Sequence, residues 1–338
     1  MLRSQPLLPS LANRRVLSLN GEWAFQLDPA GELNLAELAP TQTIPVPLPW
    51  QALSPEMRAY KGYAWYTRSV DVPADFLTGE ALLRFGAVDY WCEVFVNGVK
   101  VGEHEGGFTP FTLPVGRCLT AGQNTVTVRV FDPILDKIEF YRWAKDQPAP
   151  DSEGPFAESE VPHGKQEWYV NIGGIWQDVT LEAVPAAWME AIRIQPDVAA
   201  QCARVSLRLA GQLPAVKGSR LVLTVRTAAH AVAATASVGV EPGVSELAAE
   251  LALPEPRLWS LEDPHLYSLH ARLETPGGVH EKVERFGMRT FETRSGQFLL
   301  NGQPVYLLAA LDQDFYPETV FTVPSEAYLR DQFRKAKE

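Results

Sequence analysis

The stretch VFVNGVKV, residues 94–101, contains the clearest local structural signal in the chain. Apolar, strand-forming residues lie on both sides of an Asn-Gly pair, and this pair favours the positive φ angles that a two-residue type I′ turn requires. The same pair recurs at Asn301-Gly302. Each pair predicts two antiparallel strands joined by a tight turn, which indicates a mainly β architecture.

Alternating apolar residues extend this prediction over most of the chain. Every second residue is apolar at 126–130, 205–209 and 221–225, a pattern that places apolar side chains on one face of a pleated strand. The segment 136–166 lacks the pattern and is predicted to be mobile. An apolar run at 305–311 predicts a strand, and helical spacing of apolar residues predicts a helix from Ser325 onward.

Changes of pattern divide the 338 residues into three parts. The strand predicted around 174–182 would close a first domain, and Val184-Pro185 is a natural boundary. Strands from 191 to 291 span about the length of a seven-stranded immunoglobulin-like sandwich. We therefore expect a first domain at 1–184, a second at 185–291 and a different piece at 292–338.

Composition and charge exclude several classes of function. The net charge of −11 comes without a basic block, which argues against a nucleic-acid partner. No apolar run reaches the roughly 20 residues of a membrane span, and residues 1–20 lack a run of signal-peptide length. The three cysteines and the histidines lack metal-ligand spacing, so the cysteines are predicted to be free thiols. We expect a cytoplasmic protein without a metal or another cofactor.

Short motifs in a fixed order carry a family resemblance. They are LNGEW (19–23), AWY (64–66), FGAVDY (85–90), VFVNG (94–98), EGGFTPF (105–111), PRLWS (256–260), PHLY (264–267) and RFGMRT (285–290). Together they resemble the N-terminal domains of glycoside hydrolase family 2, the β-galactosidase, β-glucuronidase and β-mannosidase group. The resemblance implies a jelly-roll sugar-binding domain, an immunoglobulin-like sandwich, and the first strands and helix of an incomplete (β/α)8 barrel.

The same resemblance implies where the chemistry lies. Retaining glycosidases use two carboxyl groups about 5 Å apart, and in this family both come from later barrel strands, the acid/base Glu within an Asn-Glu pair. No Asn-Glu pair occurs in this chain. We expect a chain without catalytic residues, inactive by itself, that ends at Glu338 just as the barrel of a parent β-glycosidase begins. Two alternatives stay open: a stand-alone carbohydrate-binding module, and a structural or oligomerisation role.

Two groups of residues are candidate contacts for a carbohydrate substrate. The first lies just before the strand that closes the first domain, where related enzymes send a loop toward the catalytic pocket: Gln166, Glu167, Trp168 and Tyr169. The second lies where the first barrel strand would emerge at the C-terminal face, which carries active sites in that fold: Asp312, Gln313 and Asp314. The family usually has Arg-Gly-Val-Asn-Arg-His-Glu there, whereas this chain has LAALDQD at 308–314, which indicates an altered specificity.

Three further expectations concern the tryptophans, the acidic residues of the segment 136–166 and the apolar residues of the C-terminal piece. Four tryptophans are predicted to lie in the sandwich cores: Trp23, Trp65, Trp176 and Trp259. The acidic residues of the segment 136–166 are interpreted as solvated loop side chains. The apolar residues of the C-terminal piece are expected to dock on the chain itself or to pair with another copy, so a homo-oligomer is possible.

Overall fold

The computed structural model describes residues 15–132, 172–212 and 218–338, and these residues form a mainly β protein. They divide into two compact units. From residue 16 onward, the described residues of the first unit are 16–132, 172–183 and 311–338, and those of the second are 184–212 and 218–310. No helix in the described ranges has the length and apolar character that a membrane crossing requires.

The strands of the first unit alternate with short turns. They are β1 (Arg15–Ser18), β2 (Gly21–Asp28), β3 (Gln42–Val46), β4 (Gly62–Val72), β5 (Glu80–Phe85), β6 (Val88–Asp89), β7 (Trp91–Val96), β8 (Val99–Glu105), β9 (Phe111–Pro114), β10 (Gly122–Asp132), β11 (Gly174–Ile175) and β12 (Val179–Val184). One sheet has the order β1-β12-β5-β9 and another has the order β3-β2-β4-β10-β7-β8, while β11 pairs with β6.

The two larger sheets of the first unit share one apolar core. Trp23 and Tyr66 from the six-stranded sheet lie in the same buried cluster as Leu83 and Phe85 from the four-stranded sheet. Each of these side chains is inaccessible to solvent, and burial of one large apolar side chain contributes about 1.5–3 kcal/mol to folding. The core therefore fixes the sheets that carry the connecting loops described below.

The predicted hairpin at Asn97-Gly98 is confirmed. Val96 of β7 pairs with Val99 of β8, and both turn residues have positive φ angles, 50° at Asn97 and 81° at Gly98. The Asn97 side chain also holds a neighbouring strand, because its Oδ1 accepts a hydrogen bond from the Thr125 backbone N–H at 2.8 Å. The turn is thus fixed by its own backbone and by β10.

The strands of the second unit form three sheets. They are β13 (Ala187–Asp197), β14 (Cys202–Gly211), β15 (Ser219–Arg226), β16 (Val232–Val240), β17 (Glu246–Ala252), β18 (Tyr267–Thr275), β19 (Gly278–Phe286), β20 (Phe291–Arg294), β21 (Gln297–Leu300) and β22 (Gln303–Val305). The sheet orders are β13-β14-β17, β16-β15-β18-β19 and β20-β21-β22. The alternating residues predicted at 205–209 and 221–225 are buried in one shared cluster, as expected.

The strand predicted at 305–311 is wrong beyond its first residue. β22 ends at Val305, and residues 306–311 form no strand, with Tyr306 85% and Leu308 90% exposed. A lone extended segment gains no ladder hydrogen bonds, and no described strand pairs with this one. The helix predicted after it is confirmed as α1 (Glu326–Lys337), which begins after Ser325, whose hydroxyl accepts the Tyr328 backbone N–H at 3.1 Å.

Three of the four tryptophans assigned to the cores are buried. Trp23, Trp65 and Trp176 are at most 9% exposed. The assignment of Trp259 is wrong, because this ring is only partly buried and the Arg289 guanidinium lies 4.6 Å from its centroid. A partly exposed ring that stacks on a cation keeps contact with water on one side.

Candidate functional site

Only one of the two predicted groups of sugar contacts can be located. Gln166, Glu167, Trp168 and Tyr169 lie outside the described residues, as does the segment 136–166, so their roles stay predictions.

Asp312, Gln313 and Asp314 form a loop in the first unit, with both carboxylates exposed. The Asp312 carboxylate accepts the Asp314 backbone N–H at 2.9 Å, which closes a local turn. Burial, and next the negative charges of Asp314 and Asp312, raise the pKa of the nearby Tyr316. The two acidic groups therefore lie close to that phenol.

A different group of residues in the first unit forms a more complete site. Asp89 ends β6, which pairs with β11, and its carboxyl side chain is buried. Gly107 lies directly against that side chain, since a Cβ atom built on Gly107 would lie 1.9 Å from Asp89 Oδ2. Only glycine therefore fits above the carboxyl group at this distance.

The loop that carries Gly107 is held by the two residues just before the glycine. The backbone N–H of Gly106 donates to the Tyr90 carbonyl oxygen at 3.0 Å, next to the cis peptide bond between Asp89 and Tyr90. The Tyr90 hydroxyl donates to Glu105 Oε1 at 2.8 Å. These two bonds fix the loop over Asp89.

Trp176 joins this loop to the C-terminal segment of the same unit. Its indole N–H donates to the Gly107 carbonyl oxygen at 2.8 Å, and its own carbonyl oxygen accepts the Thr322 hydroxyl at 2.7 Å. The rings of Phe108 and Phe321 approach the indole edge-on, with centroids 5.6 and 6.4 Å away. We call Asp89, Gly107, Phe108, Trp176 and Phe321 the Trp176 cluster.

The backbone that presents Trp176 depends on two glycines. A Cβ atom on Gly173 would lie 2.4 Å from the Trp50 ring, and one on Gly174 would lie 2.1 Å from the Tyr66 hydroxyl. The φ angle of Gly174, 97°, is also one that other residues rarely adopt. The close approach lets Trp50 donate its backbone N–H to the Gly173 carbonyl oxygen at 3.1 Å.

The Trp176 cluster combines a buried carboxyl group with one accessible aromatic ring. Burial raises the pKa of Asp89 well above its usual value, because the low-polarity surroundings disfavour the charged form. Phe108 is 43% exposed, whereas Trp176 and Phe321 are buried. An exposed aromatic ring can cover sugar C–H groups, so Phe108 is the part of the cluster that can contact a carbohydrate, whereas Asp89 lies buried beneath Gly107 and supports the loop.

Sequence reasoning named the parts of this site but missed the site itself. FGAVDY and EGGFTPF were recognised only as family motifs, and Trp176 only as a core residue. Asp89, Gly107, Trp176 and Phe321 are far apart in sequence, so no spacing could indicate that they meet. The described residues contain no group of three His, Cys, Asp or Glu side chains that could hold a metal ion.

The close approach of Gly107 to Asp89 predicts the effect of a Gly107→Ala substitution. The added methyl group would overlap the buried carboxyl group, so we expect a loss of about 1–3 kcal/mol in the free energy of unfolding, measured by urea denaturation. Gly277→Ala is the matched control, because its Cβ atom would make only ordinary contacts. Equal stability of the two variants would contradict the packing described here.

The raised pKa of Asp89 predicts a pH-dependent gain on substitution with asparagine. A carboxyl group that binds its proton more tightly when folded destabilises the folded state as pH rises from the unfolded pKa, about 3.9, through the folded pKa. Asp89→Asn removes this loss, so the variant should unfold at higher urea concentration than the parent chain at pH 7.5. The difference should shrink as the pH falls to about 3, below the unfolded pKa, where the carboxyl group is protonated in both the folded and the unfolded state.

The exposed Glu262→Gln substitution is the control for that measurement and should leave the urea midpoint nearly unchanged at both pH values. An Asp89→Asn variant that is less stable than the parent chain at pH 7.5 would show that the ionised carboxylate stabilises the fold, contrary to this account.

Comparisons with known proteins agree with the architecture. Residues 16–185 match the family model "Glycosyl hydrolases family 2, sugar binding domain", and residues 189–289 match "Glycosyl hydrolases family 2". The chain is 28% identical over 317 residues to a β-glucuronidase of Streptococcus agalactiae serotype V, covering 89% of this chain and 48% of that protein. It is 26% identical over 355 residues to a β-galactosidase of Photobacterium profundum, covering 93% of this chain and 31% of that protein.

A solved structure shows the same fold. A β-glucuronidase from Ruminococcus gnavus in complex with D-glucuronic acid superposes with a TM-score of 0.76 at 22% identity, covering 98% of this chain and 56% of that one. The chain thus spans about half or less of the length of these curated relatives. Because the two family models match most of its residues, the chain belongs to glycosyl hydrolase family 2.

Proposed function

We propose that this chain is the N-terminal, non-catalytic region of a β-glycosidase and that it contributes side chains to the sugar pocket of the whole enzyme. The observation that carries the proposal is the consecutive match to the two family 2 models, the first of which is described as a sugar binding domain. Relatives named as β-glucuronidases and β-galactosidases support a carbohydrate substrate for the whole protein. The reaction would be hydrolysis of a β-glycosidic bond by two carboxyl groups.

The proposed architecture has three parts. Residues 1–184 would form a jelly-roll sugar-binding domain, residues 185–291 an immunoglobulin-like sandwich, and residues 292–338 the start of a (β/α)8 catalytic barrel. Two sheets around one core in the first unit support the first part. A three-stranded sheet and a four-stranded sheet around a second core support the immunoglobulin-like part. The third part rests on the family resemblance and on helix α1.

The proposed sugar contacts lie in the Trp176 cluster. Phe108 is the accessible ring and would cover a C–H face of the sugar, while Trp176 fixes its position through the Gly107 carbonyl oxygen. Asp89 would support the Gly107 loop that presents this ring. Neutral sugars and D-glucuronic acid should both be compared in every binding test.

The residues predicted from the sequence remain part of this proposal. Asp312, Gln313 and Asp314 are exposed or half-buried on a loop of the same unit, and Tyr316 on that loop bonds through its backbone to Val320, which packs with Trp176. Gln166, Glu167, Trp168 and Tyr169 precede Trp176 in the sequence by ten residues or fewer. We propose both groups as supporting substrate contacts, with no catalytic role.

The proposal predicts that the purified chain does not hydrolyse nitrophenyl β-galactoside, β-glucuronide or β-mannoside above a buffer blank. No acid and nucleophile pair of the kind that a retaining glycosidase uses is expected within its residues. The Streptococcus agalactiae β-glucuronidase serves as the positive control for the glucuronide. Turnover by the chain that disappears in the Glu167→Gln variant would mean that the chain carries its own catalytic carboxylate, and the proposal would be wrong.

A further inference from the structure

The two sheets that enclose the core of the second unit have four edge strands, and three of these strands carry residues that prevent pairing with other strands. β13 and β17 are the edges of one sheet, and β16 and β19 are the edges of another. Edge strands expose unpaired backbone N–H and C=O groups, and charged residues or proline keep other strands away. In this unit the charged residues and proline that protect the edges are Glu190, Arg193 and Pro196 in β13; Glu246 and Glu250 in β17; and Glu281, Lys282, Glu284 and Arg285 in β19.

Strand β16 has no such protection. Its sequence, VAATASVGV, contains no charged residue and no proline. It pairs with β15 in unbroken register from Ala234 to Val240, and its register shift lies at the other end, next to Val232. Among the residues that the structure describes, no strand pairs with its outer edge. Seven regular residues therefore present an uncharged edge that pairs with no described strand, although β16 also packs against β17, the strand that follows it.

We propose that this edge binds the same edge of a second copy of the chain, antiparallel and about a two-fold axis at Ala236. A two-fold axis perpendicular to a sheet places each residue opposite one whose side chain points to the same face. Ala236 then faces the partner's Ala236, Thr235 faces the partner's Ser237, and Ala234 faces the partner's Val238. The two four-stranded sheets become one continuous sheet of eight strands.

The side chains of β16 suit this arrangement on both faces. Thr235 and Ser237 are exposed, and hydroxyl side chains directly opposite each other across strands can hydrogen-bond. Ala234, Ala236 and Val238 are half-buried beside the core of the second unit, and pairing would cover their remaining surface. The small side chain of Ala236 lets the two strands approach closely at the axis.

The charges at the ends of β16 select a second copy rather than an unrelated strand. Arg226 and the exposed His230 lie before its first residue, and Arg226 donates to the His230 carbonyl oxygen at 3.0 Å. The exposed Glu241 follows its last residue. Antiparallel pairing brings the partner's Glu241 to the end that carries Arg226 and His230, and the symmetry forms this contact twice.

The oligomeric state of the full chain in solution tests the proposal. Light scattering after gel filtration should give a mass of about twice 37.4 kDa. The double variant Thr235→Lys with Ser237→Lys places lysines opposite lysines at two positions, so the dimer should dissociate at least about tenfold more readily. Both sites are exposed, so the monomer should keep its fold, which circular dichroism can verify.

Variants that carry opposite charges at the same two positions test the proposed interface most directly. A second double variant, Thr235→Glu with Ser237→Glu, should also be monomeric, and an equimolar mixture of the two variants should form a mixed dimer. The control is Ala248→Lys with Ala252→Lys on the exposed face of edge strand β17, which should leave the parent dimer intact. A monomeric parent chain, a dimer unaffected by the lysines, or no mixed dimer would each overturn the proposal.

Discussion

The hydrogen bond from the Trp176 indole to the Gly107 carbonyl oxygen is the interaction on which the candidate site depends. It joins the loop above Asp89 to the strand that follows Gly174, and through Thr322 it reaches the segment before α1. The bond forms only because glycines at 107, 173 and 174 let the backbone approach neighbouring side chains. Together with the bonds that join Gly106 and Glu105 to Tyr90, this bond fixes the loop that carries Phe108.

The elements that could be predicted from the sequence are those whose cause is local. The Asn97-Gly98 hairpin follows from positive φ angles within two residues, and the faces of β14 and β15 follow from alternation within one strand. Helix α1 follows from its Ser325 cap and its spacing. Residues 306–311 were predicted wrongly because a strand also needs a neighbour, which their own composition does not supply.

The candidate site could not be predicted because its causes are contacts between distant residues. Asp89 is polar and would ordinarily be expected at the surface, and its burial is visible only once Gly107 lies against it. Trp176 is buried as expected, yet it lies in a small apolar cluster separate from the main core of the unit, where it contacts Phe108 and Phe321. The family motifs contain Asp89, Gly107 and Phe108, but motif order carries no information about which motifs touch.

The claim that the chain carries part of a sugar pocket is tested most directly by nuclear magnetic resonance of its tryptophan indole N–H groups. The resonances would be followed during titration with D-galactose and D-glucuronic acid, with Trp176→Phe used to assign Trp176. We expect the Trp176 resonance to shift with a dissociation constant on the order of millimolar, while Trp23 in the core does not shift. No shift of Trp176 up to the solubility limit of either sugar, or an equal shift of Trp23, would contradict the account.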